Sequence, residues 1–502
     1  MTQPPVADAA GMANPVAATV AVVNVVAATV AVAGTAVPDQ VPGRVAMHDR
    51  GAPGLHGLPT LGEASRVWAR IGCLSFGGPA AQIALLHREA VEQRAWVSGR
   101  RFLHALNFCT LLPGPEAMQL AAYLGWLMHG VRGGLVAGLL FILPGAAVML
   151  ALSLLYTGYG TVPAVAAAFF GLKCAVLVLV ADALHRVARR ALLTPAAYAL
   201  AGVAFLALFA FGAPFPAVVL AAGLLGWAAP GAFAGAGHGA AKDGPMAALD
   251  AVLAADPGRP KRMATGAWRA GLVALAAWLL PVAALWTWGG SAGGSAGVLG
   301  DVAVFFSKLA VVTFGGAYAV LAYAAQGAVQ TYGWLTPGQM LDGLGLAETT
   351  PGPLILVLQF VGFLAGHKQG GPWLGAAAAA TVLWATFTPC FAWVFLGAPF
   401  VERLQANRTL TGALSAVTAA VVGVIANLAL WFALHTLFRD HLAVRSRGLR
   451  FDAPMPASLD LPALLLAVAA AVALLRFRIG VVPVLAGCAA AGLALHLVGV
   501  VQ

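Results

Sequence analysis

Two Phe-Gly-Gly triplets, Phe76-Gly77-Gly78 and Phe314-Gly315-Gly316, occur inside apolar stretches of this sequence. Adjacent glycines weaken a helix by about 1 kcal/mol each relative to alanine, and the first triplet precedes Pro79, which lacks a backbone donor. One interpretation is close helix packing through small residues. The other is a broken helix whose free amide groups and positive dipole end face an anion. The recurrence of the triplet favours the second interpretation.

Two Pro-Gly-Pro triplets, Pro113-Gly114-Pro115 and Pro351-Gly352-Pro353, lie downstream of the Phe-Gly-Gly triplets. Neither can remain regular helix, because Pro115 and Pro353 lack the NH group that the helical hydrogen-bond ladder needs. A simple kink is the alternative interpretation. Together the four interruptions predict a central cavity lined by unwound backbone.

Arg70 and Lys308 each precede a Phe-Gly-Gly triplet by about one and a half helical turns. A charge at the centre of a bilayer costs at least about 2.5 to 3.5 kcal/mol. A charged residue inside an apolar span is therefore a candidate for a functional role. Either both side chains reach the membrane surface, or they converge on a dianion and compensate for its lost hydration. Lys173 is a third base within an apolar span.

Three acidic residues, Glu116, Glu348 and Asp182, are assigned to apolar spans. Glu116 follows the first Pro-Gly-Pro triplet and Glu348 precedes the second. Each could simply pair with a nearby base. The alternative is that Glu116 and Glu348 take up and release protons, because burial favours a neutral carboxylic acid.

The predicted site binds an anion and catalyses no reaction. The five cysteines are scattered through apolar segments without CxxC spacing, so we expect no metal site, and the sequence indicates no cofactor. An intramembrane enzyme would need histidines and acids clustered at one membrane depth, and the spans hold too few acids. The predicted substrate-binding residues are Arg70, Ser75, Phe76, Gly77, Gly78, Pro113, Gly114, Pro115, Lys308, Thr313, Phe314, Gly315, Gly316, Thr350, Pro351, Gly352 and Pro353.

These motifs require spans that cross a membrane, and the composition supplies them. The chain has 502 residues, of which 61% are hydrophobic and 9% charged, whereas soluble domains carry about 25% charged residues. Apolar runs of about 18 or more residues recur, and they predict an all-α membrane protein with about thirteen transmembrane helices. The net charge is +10, but the basic residues lie in short patches between apolar runs, which argues against nucleic-acid binding.

The motifs recur because the sequence contains two copies of one unit. A shift of 238 residues aligns both pairs of triplets, Trp96 with Trp334 and His129 with His367, and beyond His129 the offset grows to 245 residues. One connecting span between the copies would turn the second copy over, which predicts an inverted repeat. The distribution of Lys and Arg favours a cytoplasmic N-terminus, although the two basic segments at 88–101 and 439–450 oppose it. The predicted regions are a poorly ordered extension at 1–60, a first repeat at 61–230, a linker with a connecting helix at 231–300, and a second repeat at 301–502.

The order of these motifs resembles the long, two-domain members of the chromate ion transporter family. The similar residues are Phe-Gly-Gly-Pro at 76–79, Trp-Val-Ser at 96–98, Leu-Leu-Pro-Gly-Pro-Glu-Ala at 111–117 and the weaker second copies, and the resemblance covers roughly residues 62 to 500. It implies a multi-pass protein of the bacterial inner membrane that exports chromate, gives chromate resistance and draws on ion gradients.

Chromate as the substrate follows from this resemblance alone, since the residues themselves indicate only a tetrahedral dianion. A sulfate or molybdate carrier on the same scaffold and an anion channel stay as alternatives. The sequence contains no GxxxxGK[ST] motif, so an ATP-driven pump is not expected. Proton coupling, sulfate as a second substrate and a homodimer are left open.

Overall fold

The computed structural model describes residues 58–233, 247–256, 258–292, 294–314, 317–401, 407–446 and 449–501. Almost all of the N-terminal extension, together with Gly315 and Gly316, lies outside these residues. Within the described residues, five helices are long and apolar enough to cross a membrane, and four shorter apolar helices accompany them. The prediction of an all-α, multi-pass membrane protein is confirmed.

Within the described residues there are seventeen α-helices and one β-hairpin, together with short π-helical and 3-10 turns. The first repeat contains α1 (Leu61–Leu74), α2 (Gly78–His87), α3 (Gly99–Cys109), α4 (Glu116–Tyr159), α5 (Pro163–Ala191), α6 (Pro195–Phe209), α7 (Phe215–Ala228) and α8 (Pro230–Phe233). The segment between the repeats forms α9 (Ala248–Ala255) and α10 (Arg259–Ala292). The second repeat contains α11 (Gly294–Val312), α12 (Ala317–Ala325), α13 (Pro337–Thr349), α14 (Val357–Gly397), α15 (Arg408–Leu437), the antiparallel strands β1 (His441–Ser446) and β2 (Leu449–Pro454), α16 (Leu461–Ala471) and α17 (Val481–Leu497).

Equivalent elements of the two repeats begin at the offsets that the sequence predicts. A π-helical turn follows α2 at Arg88–Gln93, and another follows α12 at Gln326–Thr331, 238 residues later. The Ser98 side chain caps the start of α3, and the Thr336 side chain caps α13 in the same way. The first residues of α5 and α15 are 245 residues apart. The register of the repeat therefore extends from motifs to whole helices.

Each of α4 and α14 folds back on itself as two antiparallel arms. α4 turns at His129 and Gly130, and α14 turns at Gly371. Gly130 has φ 65° and ψ −155° and Gly371 has φ 73° and ψ −168°, a backbone region that is essentially restricted to glycine. The arms touch closely, since a Cβ on Gly125 would lie 2.4 Å from the carbonyl oxygen of Gly133. Each turn separates the two arms of its helix.

Replacing Gly130 with alanine should weaken the fold, because alanine at φ 65° and ψ −155° adds strain of about 1 to 3 kcal/mol. We expect a lower Tm in detergent and a lower yield of monodisperse protein. Gly158→Ala, in the same helix, is the matched control, because no atom lies within 4 Å of its Cβ position. Equal thermal stability of the two variants would contradict this account of the turn.

The interrupted segments lie inside a frame of longer helices. α1 packs against α4, and its equivalent α11 packs against α14. The connecting helix α10 lies against α11 and α14, while α15 packs against α5, α6 and α7. The largest fully buried side chains are Trp68, Phe102, Phe108, Phe141, Phe215, Phe306, Phe360, Phe363, Phe395, Phe432, Ile71 and Leu86.

Candidate functional site

The interruptions of the two repeats bind each other through a reciprocal pair of backbone hydrogen bonds. The Gly114 amide, in the first Pro-Gly-Pro triplet, donates to the carbonyl oxygen of Thr313 at 2.9 Å. The Gly352 amide, in the second triplet, donates to the carbonyl oxygen of Ser75 at 2.8 Å. Each Pro-Gly-Pro triplet is therefore joined to the helix end beside the Phe-Gly-Gly triplet of the other repeat.

The first Phe-Gly-Gly triplet interrupts the chain between α1 and α2. The Phe76 amide donates a hydrogen bond to the carbonyl oxygen of Leu74 at 3.0 Å. Gly77 and Gly78 then adopt φ values of 85° and 78°. Such left-handed backbone favours glycine, because glycine has no Cβ to clash with the chain. In the second repeat, the Phe314 amide makes the same turn at 3.1 Å, and the two glycines that follow lie outside the described residues. The helices α1 and α11 thus end in the same tight turn.

Each Pro-Gly-Pro triplet packs against a helix of the other repeat. Gly114 and Gly352 take φ 130° and 92°. A Cβ on Gly145, in the second arm of α4, would lie 2.1 Å from the carbonyl oxygen of Pro351. The Sγ of Cys390, in α14, lies 2.8 Å from the Cβ position of Gly114. The 245-residue offset pairs Gly145 with Cys390, but nothing in the sequence indicates that these residues touch the triplets.

Two buried glutamines that the sequence analysis missed bind carbonyl groups at the interruptions. The Gln82 Nε2 donates to the carbonyl oxygen of Gly352 at 2.6 Å and lies 3.4 Å from that of Ser75. The Gln119 Nε2 donates to the carbonyl oxygen of Pro113 at 2.8 Å. These amides satisfy carbonyls that lack a helical partner. The signal that could have found them is an amide four residues after each triplet of the first repeat.

Three hydroxyl groups predicted at the site point back into their own helices. Ser75 and Thr350 donate to carbonyls one turn earlier, at 2.6 and 2.9 Å, and Thr313 does the same. All three side chains are buried. In this conformation these hydroxyls, like the amides of Gly114 and Gly352, donate their hydrogen bonds to backbone carbonyl oxygens.

Arg70 and Lys308 are both exposed, and neither forms an ion pair within the described residues. On α1, the exposed residues Arg66, Arg70 and Cys73 form one stripe that leads to the exposed Gly77 of the interruption. Because lipid solvates charged groups poorly, we expect this face to border water. The other residues of the predicted site divide into the partly exposed Phe76, Gly78, Pro113 and Phe314 and the buried Pro115, Pro351 and Pro353.

Two of the acids assigned to the spans, Glu348 and Asp182, have a partner within the described residues. Glu348 is 5% exposed, and its Oε1 accepts a hydrogen bond from the Tyr318 hydroxyl at 2.8 Å. Arg186 acts electrostatically on both groups and also pairs with Asp182, one turn before it on α5. Glu116 begins α4 and is partly exposed. Of the two candidate proton carriers, Glu348 therefore has a fixed hydrogen-bond partner, the Tyr318 hydroxyl.

Asp342 is a buried acid of α13 that the sequence analysis missed. Its Oδ1 lies 3.3 Å from the Nζ of Lys173, and its Oδ2 accepts a hydrogen bond from the Tyr156 hydroxyl at 2.8 Å. Lys173 and Tyr156 belong to the first repeat and Asp342 belongs to the second. The pair therefore crosses the boundary between repeats, as the interruptions do.

Comparisons with known proteins agree with the motifs. The sequence profile of the family described as Chromate transporter matches residues 63–227 and 300–493. A chromate transport protein from Pseudomonas aeruginosa is 36% identical over 362 residues, which cover 71% of this chain and 77% of that protein. A probable chromate transport protein from Synechococcus elongatus is 29% identical, over 74% of this chain and 84% of its own length. A chromate transport protein from Cupriavidus metallidurans is 28% identical, over 74% of this chain and 83% of its own length.

No solved structure matches the chain. The matched regions contain both Phe-Gly-Gly and both Pro-Gly-Pro triplets. The resemblance inferred from those motifs is confirmed, and the chain belongs to the chromate transporter family.

Proposed function

We propose that this protein is a secondary transporter that exports chromate across the inner membrane of a bacterium, with its N-terminus in the cytoplasm, and so gives chromate resistance. The family and the relatives described as chromate transport proteins support chromate as the transported anion. The observation that carries the mechanism is the reciprocal pair of backbone hydrogen bonds between the repeats. The Gly114 amide donates to the Thr313 carbonyl, and the Gly352 amide donates to the Ser75 carbonyl. Transporters built from repeats commonly bind their substrates where broken helices of both repeats meet.

Chromate is a tetrahedral dianion, so it needs positive charge and hydrogen-bond donors once water leaves it. Arg70 and Lys308 supply the charge, and Gly77 is exposed at the same interruption. The amides of Gly114 and Gly352 are held by carbonyls of the other repeat. They become donors to the anion when the repeats separate at these two contacts, so anion binding and repeat movement are linked.

The membrane potential favours the outward direction. A negative-inside potential drives a dianion out by about 2.3 kcal/mol per charge for each 100 mV, so export needs no ATP. Proton coupling adds further driving force and selectivity. Glu348 and Glu116 are the proposed proton carriers.

Expression in a chromate-sensitive bacterium without its own chromate transporter tests export directly. We expect faster growth in chromate, less chromium in the cells, and accumulation of chromate by inside-out membrane vesicles. Chromate sensitivity equal to that of empty-vector cells would reject export. Greater accumulation of chromium in intact cells would indicate that the protein imports chromate. Loss of transport in excess sulfate or molybdate would favour those substrates, and pH-independent current in planar bilayers would favour a channel.

Glu348→Gln should uncouple transport from a pH gradient, because glutamine can still meet the Tyr318 hydroxyl but cannot bind a proton. In proteoliposomes, we expect exchange of internal for external chromate to persist, while stimulation by an imposed pH gradient falls to the level seen without one. Glu92→Gln, at an exposed carboxylate in the π-helical turn after α2, is the matched control. A wild-type response of Glu348→Gln to the gradient would remove Glu348 from coupling.

A further inference from the structure

A partly buried cluster, in which Asp342 is the buried member, joins the repeats outside the predicted site. Its members are Lys173 of α5, Asp342 of α13 and Tyr156 of α4. The Lys173 Nζ and the Tyr156 hydroxyl contact different oxygens of the Asp342 carboxylate, at 3.3 and 2.8 Å. Tyr156 is itself fixed by edge-to-face contacts with Phe169 and Phe360, whose ring centroids lie 5.1 Å from its own. The cluster therefore holds the carboxylate in one position.

The two charged partners differ in their access to the surroundings. The Asp342 side chain is 7% exposed, whereas that of Lys173 is 27% exposed. The Lys173 Nζ lies 3.4 Å from the position that a Cβ on Gly338 would take, and the Thr336 Oγ1 is the other atom within 4 Å of that position. The Lys173 ammonium group is therefore the more exposed of the two charged groups, and an anion could approach it.

We propose that Lys173 is an oxyanion-binding residue whose charge becomes available when Asp342 takes up a proton. While Asp342 is ionised, the two charges cancel, and a dianion gains little from the ammonium group. A proton from water that adds to a carboxylate oxygen of Asp342 makes a neutral acid, while Lys173 keeps its own proton and its positive charge. No other bond changes, and loss of the proton restores the pair. This inference rests on the proposed function, because it adds a second cation to the route of the same anion.

The surroundings of Asp342 make it the group whose protonation decides the charge of the cluster. α13 packs against α4, α5, α14, α15 and α17, and from these helices the titratable groups that act on the Asp342 carboxyl are Lys173 and Tyr156. Tyr156 donates its hydroxyl hydrogen and is a neutral phenol. The Asp342 Oδ1 is buried, and the Lys173 Nζ lies 3.3 Å from it without a well-aligned hydrogen bond. A carboxylate oxygen has two lone pairs, so one remains available for a proton.

Thermodynamic linkage fixes the sign of the pH effect. If a proton on Asp342 strengthens oxyanion binding at Lys173, then the oxyanion must strengthen proton binding by the same factor. The affinity for an oxyanion should therefore rise as the pH falls through the titration of Asp342. A charge-assisted contact freed in this way corresponds to about a tenfold gain in affinity.

The test measures the oxyanion affinity of the full-length protein over a pH series. One readout is the sulfate or chromate concentration that gives half of the maximal rise in Tm in detergent, and the other is half-saturation of chromate transport in proteoliposomes. Sulfate remains a dianion throughout, so a change in its affinity reports on the protein. We expect about a tenfold higher wild-type affinity at the acidic end. Asp342→Asn should bind tightly at every pH, and Lys173→Gln should bind weakly at every pH.

Two further variants control for folding and for general charge effects. Lys173→Gln/Asp342→Asn removes both charges, so no buried charge is left unpaired, and it should match Lys173→Gln. Asp256→Asn removes an acid from an exposed ion pair with Arg262, and its oxyanion affinity should depend on pH as that of the wild type does.

A pH-independent wild type, a wild-type pH response in Asp342→Asn, or wild-type affinity in the double variant would overturn the proposal. A wild type that transports no chromate but keeps the pH-dependent sulfate effect would overturn chromate export alone. Lys173 would then stand as an oxyanion site in a protein with another substrate.

Discussion

Arg70→Ala is expected to lower the initial rate of chromate export at least about tenfold, and Lys308→Ala to do the same, because each removes a charge-assisted contact of about 1.5 to 3 kcal/mol with the dianion. Both side chains are exposed and make no ion pair within the described residues. Their loss should therefore cost little folding energy, and both variants should reach the membrane in wild-type amounts. The measurement is chromate uptake by inside-out vesicles, normalised to the amount of transporter.

Arg66→Ala is the matched control for Arg70→Ala. Arg66 lies one turn earlier on the same exposed stripe of α1, farther from the interruption, so its loss should leave most of the activity. Arg70→Lys should retain part of the activity, because the second repeat carries lysine at the equivalent position, Lys308. Wild-type resistance in both alanine variants would remove the two cations from the site. An equal loss of chromate export in Arg66→Ala would indicate that the total positive charge on the exposed stripe of α1 attracts the anion.

The positions of the interruptions could be predicted because they depend on local chemistry. Gly77, Gly78, Gly114 and Gly352 all adopt positive φ, which glycine accepts and other residues resist. Proline removes a helical donor wherever it occurs. The register of the repeats could be predicted for a similar reason, since a run of matched residues fixes each offset without knowledge of the fold.

The partners of the interruptions could not be predicted, because spacing within one repeat says nothing about how the two repeats dock. The Gly114 amide meets the Thr313 carbonyl, and the Tyr156 hydroxyl meets Asp342, across long stretches of sequence. Asp342 escaped notice because its lysine and tyrosine partners lie in the other repeat. The β-hairpin at 441–454 also escaped, because its basic residues suggested a loop.

Gly145→Ala is expected to abolish transport, because the second arm of α4 touches the second Pro-Gly-Pro triplet at this residue. The added Cβ would lie 2.1 Å from the carbonyl oxygen of Pro351 and 2.6 Å from a methyl group of Leu356. Pro351 must then move, and the Gly352 amide with it, although that amide is bonded to the Ser75 carbonyl at 2.8 Å. Overpacking of this kind costs about 1 to 3 kcal/mol. Chromate uptake by vesicles and the Tm of the purified protein measure the two effects.

Gly158→Ala separates this contact from the general effect of alanine in α4, because its Cβ would meet no atom within 4 Å. At the equivalent position of the second repeat, Cys390 fills the space beside Gly114. Cys390→Ala should therefore leave a small void instead of a clash and should impair transport less than Gly145→Ala does. Full transport and an unchanged Tm in Gly145→Ala would show that the second Pro-Gly-Pro triplet shifts freely. The hydrogen bond between Gly352 and Ser75 would then be no constraint on the two repeats, and the proposed link between anion binding and repeat movement would fail.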